Sequence, residues 1–314
     1  MRALVLGVSL LIAAVAWLLT KRPWVLPLEL SEPGITGRRV SQGDLFGNYY
    51  PARGPGLHAA VLMLGGSEGG LGRDATRDAL ALQQEGVTVL HISFFRAPGQ
   101  PKSLELIPLE TFGHALDWLA RQPDVDAARL GMIGMSKGSE AVLLMASRRD
   151  DLRVVVAGAP SAVVWPGVDW ERMGGLKASS WSFGAIPLPA LPYGTFSWRS
   201  GMRSIYVNGL TNLTSHPDAV IPIERSRARI LLVCGGRDQI WPSCAMAQQI
   251  KARAQTRGGP TVTILEYPNA DHGVFGSPGG TSRRFGFSAK AEGNAAARLD
   301  GWPRVVAFLK TGLM

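Results

Sequence analysis

Short apolar runs alternate with segments of helical periodicity from residue 58 to the C-terminus. The runs are rich in Val, Ile and Leu and are apolar on both faces, which is typical of parallel strands covered by helices. These candidate strands lie at residues 59–64, 87–92, 130–134, 154–158, 230–234 and 262–267. The pattern predicts a central sheet that is mostly parallel.

Helical periodicity fills several gaps between these strands. One helix has apolar residues at positions i, i+3, i+7 and i+10, namely Leu109, Phe112, Leu116 and Leu119. Two more are predicted at residues 139–148 and 244–257, and Pro242 precedes the second of these, as expected near a helix N-terminus. The alternation predicts an α/β fold with right-handed crossovers and helices on both faces of the sheet. An edge hairpin is predicted at residues 35–40 and 45–50.

The alternation stops after the fourth candidate strand, in a segment rich in Pro, Gly and Ser. Its tryptophans are Trp165, Trp170, Trp181 and Trp198. An irregular stretch of this length within a compact domain usually forms a lid or a binding element. We predict a cap over the active site at about residues 161–220. The alternative is a structural excursion at the sheet edge.

The N-terminus carries an apolar run at residues 3–19, in which Ser9 is the one weakly polar position. A helix of this length would span about 26 Å, near the lower limit for crossing a bilayer. We predict an uncleaved membrane anchor over residues 1–22, with Trp17 at the interface. The alternative is a signal peptide cleaved after the small residues 14–16, followed by export.

Bulk composition adds two constraints. The 314 residues are 46% hydrophobic and 18% charged, which is typical of a folded protein. The net charge is +9, but Lys and Arg are spread in ones and twos, which indicates a solvated basic surface and no nucleic-acid stripe. Attraction to a membrane surface or a phosphorylated substrate is the alternative. Cys234 and Cys244 do not indicate a disulfide framework, and Cys234 is interpreted as core packing.

Candidate chemistry centres on residues 134–138, whose sequence Gly-Met-Ser-Lys-Gly matches the pattern G-x-S-x-G. The bare pattern is weak, but a candidate strand ends directly before it and a candidate helix begins directly after it. The two glycines allow a sharp turn that exposes the serine oxygen, and the helix N-terminus favours developing negative charge. We predict an α/β-hydrolase fold with Ser136 as the nucleophile.

A serine nucleophile needs a general base and, in this fold, an acid that precedes the histidine in the chain. Of the five histidines, those that follow Ser136 are His216 and His272. His272 lies in a loop just after the last candidate strand and is the predicted base, since His216 falls before the acid. Asp238 follows the fifth candidate strand and is the predicted orienting acid, with helix capping as its alternative role. Asp271 adjoins His272 too closely to orient it.

An oxyanion intermediate needs two backbone N–H donors. The N–H of Lys137, directly after the nucleophile, is the predicted first donor. The second is assigned to the glycine-rich loop at residues 65–70, with Ser67 preferred and Glu68 or Gly69 as alternatives. The Lys137 side chain is predicted to be solvated, with contact to an anionic substrate as the alternative. No metal-binding motif occurs, so we expect neither a metal nor a cofactor.

With these residues placed, the chain from residue 58 resembles the catalytic domain shared by acyl-CoA thioesterases and bile acid-CoA:amino acid N-acyltransferases, which are relatives of dienelactone hydrolase. The matching segments are LGGSEGGL at 64–71, GMIGMSKGSE at 131–140, IPIE at 221–224, DQIWPS at 238–243 and YPNADHG at 267–273. The segment after Asp238 is considerably more specific than G-x-S-x-G. Members with the full architecture carry a β-sandwich before this domain, for which residues 23–57 are too few.

The resemblance implies cleavage of an acyl thioester or ester through an acyl-enzyme. In that family a cysteine nucleophile accompanies transfer to an amine and a serine accompanies hydrolysis, so Ser136 implies hydrolysis. We expect an acyl-CoA thioesterase, with residues 58–314 as the catalytic domain. The alternative is an esterase of the dienelactone-hydrolase type acting on non-CoA esters, which gains weight if the domain lies outside the cytosol. A membrane-tethered binding protein without turnover is the third hypothesis, and the intact Ser136, Asp238 and His272 argue against it.

Overall fold

The computed structural model describes residues 2–21, 25, 27–171, 174–280 and 291–314. Its strands are β1 (Arg38–Gln42), β2 (Leu45–Tyr50), β3 (His58–Leu64), β4 (Thr88–Ser93), β5 (Ile107–Pro108), β6 (Val125–Met135), β7 (Leu152–Gly158), β8 (Pro166–Asp169), β9 (Gly174–Ser179), β10 (Trp181–Phe183), β11 (Ile186–Pro187), β12 (Arg229–Gly235) and β13 (Val262–Tyr267). Its helices are α1 (Arg2–Lys21), α2 (Arg73–Gln84), α3 (Leu109–Ala120), α4 (Lys137–Ala146), α5 (Arg203–Leu210), α6 (Ser243–Thr256) and α7 (Ala291–Leu313).

One eight-stranded sheet organises the fold, in the order β1-β2-β4-β3-β6-β7-β12-β13. The six strands from β4 to β13 in that order run parallel to one another, as the apolar runs predicted. The hairpin β1–β2 joins the edge through an antiparallel pairing of β2 with β4. The predicted edge hairpin is therefore present, and it extends the same sheet.

Helices cover both faces of this sheet, and the alternation of side chains along β3 shows the division. Leu62 and Leu64 pack into the core under α3, α4 and α6, whereas Val61 and Met63 pack under α2 and α7. Both faces of β3, β4, β7 and β12 are buried at almost every position, so these strands are largely apolar on both sides. This is the doubly covered α/β arrangement that the sequence predicts.

The 161–220 segment has more regular structure than its composition indicates. It contributes the two-stranded sheet β8–β9 and, together with β5, the sheet β11-β10-β5, and it also contains α5. Trp165 and Trp181 are fully buried in the core on the α3, α4 and α6 side, whereas Trp198 is 93% exposed. The interpretation of this segment as a cap stays a prediction.

A disulfide joins Cys234, near the end of β12, to Cys244 in α6, with Cα atoms 5.1 Å apart. The interpretation of the two cysteines as unlinked is wrong. The loop after β12 reverses the chain and brings the start of α6 back beside the strand, which a separation of ten residues does not reveal. Cys234 is fully buried, as the apolar run predicted.

The N-terminal apolar run forms the helix α1. Among the described residues, no helix has both the length and the apolar character needed to cross a membrane. The anchor over residues 1–22 and the cleaved signal peptide both stay predictions.

A buried polar pair lies on the sheet face covered by α2 and α7. Asn48 in β2 and His91 in β4 are cross-strand partners, and both are fully buried. Among the described residues, neither ring nitrogen of His91 has a hydrogen-bond partner. Burial lowers the pKa of His91 to about 4. The folded protein therefore holds this imidazole neutral at pH values where an unfolded chain would protonate it.

This burial predicts a loss of stability in acid. The folded pKa lies below the unfolded one, so protonation of unfolded His91 lowers the free energy of unfolding as pH falls from 6.5 towards 4. From about pH 7.5 to about pH 4.5, we expect the free energy of unfolding of the wild type, measured in urea, to fall by about 2 to 3 kcal/mol more than that of His91→Leu. Burial raises the pKa of Asp78 to about 6, so protonation of Asp78 raises the free energy of unfolding as pH falls. Asp78 is present in both proteins, and the difference between their losses therefore reports on His91 alone. Equal losses in the two proteins would contradict the prediction.

Candidate active site

Ser136 sits in a turn that only a narrow set of residues permits. It connects β6 to α4 with a φ of 55°, a left-handed value that is strained for a residue with a side chain. A Cβ on Gly134 would collide with the carbonyl of Gly138, and one on Gly138 would collide with the carbonyl of Gly65. The two glycines of the motif are therefore required by close backbone contacts that hold the serine at the turn.

The structure brings together the three residues predicted as the triad. The Oγ of Ser136 lies 2.9 Å from Nε2 of His272. The Nδ1 of the same ring lies 2.9 and 3.1 Å from the two carboxylate oxygens of Asp238. These distances fit a nucleophile, a base and an orienting acid in one hydrogen-bonded chain.

Asp238 is held by backbone and aromatic neighbours. Its Oδ1 accepts the N–H of Ile240 at 2.9 Å and the N–H of Trp241 at 3.1 Å, and the residue is 2% exposed. The Trp241 ring packs edge-on against His272, with centroids 5.5 Å apart. Arg203 of α5 donates its Nε to the Asp238 carbonyl at 3.0 Å. The carboxylate is thereby fixed as an acceptor facing the imidazole.

The alternative residues lie elsewhere. His216 is in an exposed turn, where its Nδ1 lies 3.2 Å from the carbonyl oxygen of Asn212. The Asp271 carboxylate accepts the N–H of Gly273 at 2.7 Å and a hydrogen bond from the Asn294 side chain. Asp271 therefore shapes the His272 loop without contributing to the hydrogen bond at Nδ1.

The glycine-rich loop after β3 is tied down by its carbonyl groups. The Ser67 carbonyl accepts the indole N–H of Trp170, and the Glu68 carbonyl accepts Nη1 of Arg96 at 2.6 Å. The Glu68 carboxylate turns inward and accepts the N–H of Gly66 at 2.8 Å, and burial raises its pKa. Sequence reasoning missed this inward carboxylate. The assignment of Ser67 as the second oxyanion donor stays a prediction.

The Lys137 side chain is buried, with 1% of its surface exposed. The prediction of a solvated side chain is wrong, because the 161–220 segment covers the first turn of α4. The Nζ of Lys137 donates to Oγ of Ser180, a residue of that segment, at 2.8 Å. Since Ser180 lies more than 40 residues further along the chain, no local sequence signal marks the contact.

A cavity of about 170 Å³ opens beside Ser136 and His272. Its apolar walls include Met63, Leu64, Ile133 and Phe275. Its charged lining includes Glu68, Asp78 and Arg298. In the described part of the chain, apolar and ionisable side chains together line this cavity beside the serine and the histidine.

One group of potential metal ligands occurs among the described residues. Cys234, Cys244 and Glu266 have potential ligand atoms within 4.8 Å of one another. The two sulfurs form the disulfide, so they are not thiolates and offer no ligand in this state.

A family model described as "BAAT / Acyl-CoA thioester hydrolase C terminal" matches residues 107–314. The matched range contains Ser136, Asp238 and His272.

Curated relatives agree with this match. Acyl-coenzyme A thioesterase 1 of Mus musculus is 27% identical over 289 residues, which cover 88% of this chain and 65% of the relative. Acyl-coenzyme A thioesterase 2, mitochondrial, of the same organism is also 27% identical, and the match covers 60% of it. The human acyl-coenzyme A thioesterase 1 is 25% identical over 296 residues. The chain thus spans less than two thirds of the length of these relatives.

Solved structures share the fold at low sequence identity. A dienelactone hydrolase-like promiscuous phosphotriesterase from metagenomic libraries aligns with a TM-score of 0.56 and 16% identity, covering 88% of this chain and 98% of that one. A puromycin-hydrolyzing peptidase of Mycobacterium tuberculosis aligns with a TM-score of 0.57 and 14% identity, covering 88% of this chain and 39% of that one. These likenesses identify an α/β-hydrolase fold of the dienelactone-hydrolase type.

The contacts of Asp238 predict that Asp238→Asn lowers kcat by about 10⁴-fold, because an amide cannot hold the neutral imidazole in the tautomer that accepts the serine proton. Asp271→Asn is the matched control. It changes the adjacent carboxylate, whose Oδ1 accepts hydrogen bonds from Gly273 and Asn294, and an amide oxygen can still accept both, so we expect it to keep most of the turnover. Both are measured with an activated ester at saturating concentration. Equal losses in the two variants would contradict the assignment of Asp238.

Proposed function

Since the chain belongs to the BAAT / acyl-CoA thioester hydrolase C-terminal family, we propose that it is a serine hydrolase that cleaves acyl thioesters. The observation that carries the proposal is the hydrogen-bonded chain from Ser136 through His272 to Asp238, beside a cavity lined in part by apolar side chains. A serine hydroxyl is a weak nucleophile alone, and this arrangement supplies its base.

In the acylation step, Nε2 of His272 takes the Ser136 proton while Oγ attacks the acyl carbon. Negative charge develops on the acyl oxygen, where the Lys137 N–H and a donor from residues 65–70, with Ser67 preferred, stabilise it. Asp238 stabilises the imidazolium that forms. The imidazolium then protonates the leaving thiolate, and the acyl group stays on Ser136 as an ester.

In the deacylation step, the neutral His272 takes a proton from water, and the resulting hydroxide oxygen attacks the acyl-enzyme. The same donors hold the second oxyanion. Its collapse returns the proton to Ser136 and releases a carboxylic acid. Water is the proposed acceptor, since the family resemblance implies hydrolysis where the nucleophile is serine.

The proposed substrate is an acyl-CoA thioester. The curated relatives are acyl-coenzyme A thioesterases, which supports CoA as the leaving group.

The disulfide between Cys234 and Cys244 favours a second candidate. Disulfides persist mainly in oxidising compartments, such as the periplasm or the cell exterior. If the apolar run at residues 3–19 exports the chain, or anchors it with the catalytic domain outside the cytosol, that domain lies where CoA is scarce. An ester without CoA is then the substrate, and the same residues perform the same steps.

The two candidates are separated by matched substrates. The purified chain of residues 1–314 is assayed with acyl-CoA thioesters and with p-nitrophenyl esters of the same acyl chains, and Ser136→Ala serves as the blank. We expect higher kcat/KM for the thioesters, and a loss of turnover to near the blank in His272→Ala.

Ester hydrolysis without CoA thioester hydrolysis would transfer the assignment to the esterase. Thioester turnover that persists in Ser136→Ala would contradict both candidates, because each requires the serine oxygen.

A further inference from the structure

Two charged side chains are completely buried in the first turn of α4. Lys137 is 1% exposed and Glu140 is 0% exposed, and Nζ of the lysine lies 3.2 Å from Oε2 of the glutamate. Taking an ion pair out of water costs several kcal/mol per ion unless further hydrogen bonds satisfy both groups. The remaining partners of this pair therefore decide what it does.

Among the described residues, the further hydrogen-bond partners of the Lys137 ammonium all belong to the 161–220 segment. Besides Ser180 Oγ at 2.8 Å, Nζ donates to the carbonyl of Pro166 at 3.1 Å and to that of Trp165 at 3.4 Å. Burial lowers the pKa of Lys137, and the charge of Glu140 opposes that shift. The lysine is thus hydrogen-bonded to β8 through Pro166 and to Ser180, the residue that precedes β10.

The Glu140 carboxylate reaches the same segment. Its Oε1 accepts the backbone N–H of Trp165 at 3.0 Å and the indole N–H of Trp181 at 2.7 Å. Both rings are fully buried. The Lys137–Glu140 pair is therefore a buried polar joint between α4 and the 161–220 segment.

This joint adjoins the reacting atoms. Lys137 directly follows Ser136, and its backbone N–H is the proposed oxyanion donor. The backbone carbonyl of Ser136 accepts two hydrogen bonds from Ser139, one from its N–H at 2.9 Å and one from its side-chain hydroxyl at 2.6 Å. These bonds tie the nucleophile to the first turn of α4, so we expect the two to move together. A shift of this turn displaces the serine oxygen and the donor at once.

We propose that Lys137 and Glu140 are positioning residues, which lock the 161–220 segment onto the first turn of α4 and thereby hold Ser136 and the Lys137 N–H in the reactive arrangement. The proposal rests on the proposed function, since it assigns the pair a role in the serine chemistry. A pair that serves only stability would leave kcat unchanged at temperatures where the variant stays folded.

The test compares charge and hydrogen-bond variants in the chain of residues 1–314. Lys137→Met, Glu140→Ala, Glu140→Gln and the double variant Lys137→Met/Glu140→Gln are measured well below their unfolding temperatures. Lys177→Met is the matched control, because Lys177 is an exposed lysine of the same segment. Circular dichroism and thermal unfolding establish the folded fraction of each protein.

We expect kcat of Lys137→Met and Glu140→Ala to fall about tenfold to a hundredfold, with a smaller change in KM, because small misplacements of reacting groups cost rate. Glu140→Gln keeps an acceptor for Trp165 and Trp181, so it retains more activity than Glu140→Ala. The double variant buries no unpaired charge and recovers thermal stability, but its kcat stays low. Lys177→Met matches the wild type.

Hydrogen exchange gives a readout that needs no substrate. The Trp165 amide donates to Glu140, so we expect it to exchange faster in Glu140→Ala, while the amides of β6 do not change. The rate at which a fluorophosphonate modifies Ser136 should fall in parallel with kcat.

Wild-type kcat and wild-type labelling rates in folded Lys137→Met and Glu140→Ala would overturn the positioning role while leaving the hydrolase proposal intact. A wild-type chain that hydrolyses neither substrate class and resists the fluorophosphonate would overturn the hydrolase proposal itself, and the positioning role with it.

Discussion

The close backbone contact at the end of β6 is the constraint on which the rest of the site depends. Ser136 takes a left-handed φ of 55°, and neighbouring carbonyls leave no room for a Cβ at Gly134 or Gly138. The cost of that strain, of order 1 to 3 kcal/mol, must be met by the surrounding packing. The packing around this turn comes from the sheet and from the buried helix α4, which belongs to the core formed with α3 and α6. The Lys137–Glu140 joint lies in the first turn of the same helix.

The parallel sheet explains why distant residues meet at this turn. The loops that follow β3, β6, β12 and β13 all leave the carboxyl edge of one sheet, and they carry the residue 65–70 loop, Ser136, Asp238 and His272. In an open α/β sheet this edge is where ligands bind. The site is therefore assembled by topology, and its precision comes from neighbours such as Trp241 and Arg203.

Features with a local signature could be predicted from the sequence, and features that arise from long-range contact could not. Strands apolar on both faces and the glycines around Ser136 predicted the sheet, the turn and the loops that carry His272 and Asp238. The disulfide partner of Cys234 and the buried Lys137 depend on chain reversals that no periodicity records. Glu68 resembles a surface residue in a glycine-rich loop until the structure shows its carboxylate turned towards the N–H of Gly66.

The central claim is that the acyl group resides on Ser136 during turnover. Rapid mixing with an acyl thioester, acid quenching and mass analysis of the peptides test it most directly. The account predicts a mass increase equal to the acyl group on the peptide that contains Ser136, and no such adduct in Ser136→Ala. Turnover with an adduct on another residue, or turnover of Ser136→Ala at the wild-type rate, would contradict it.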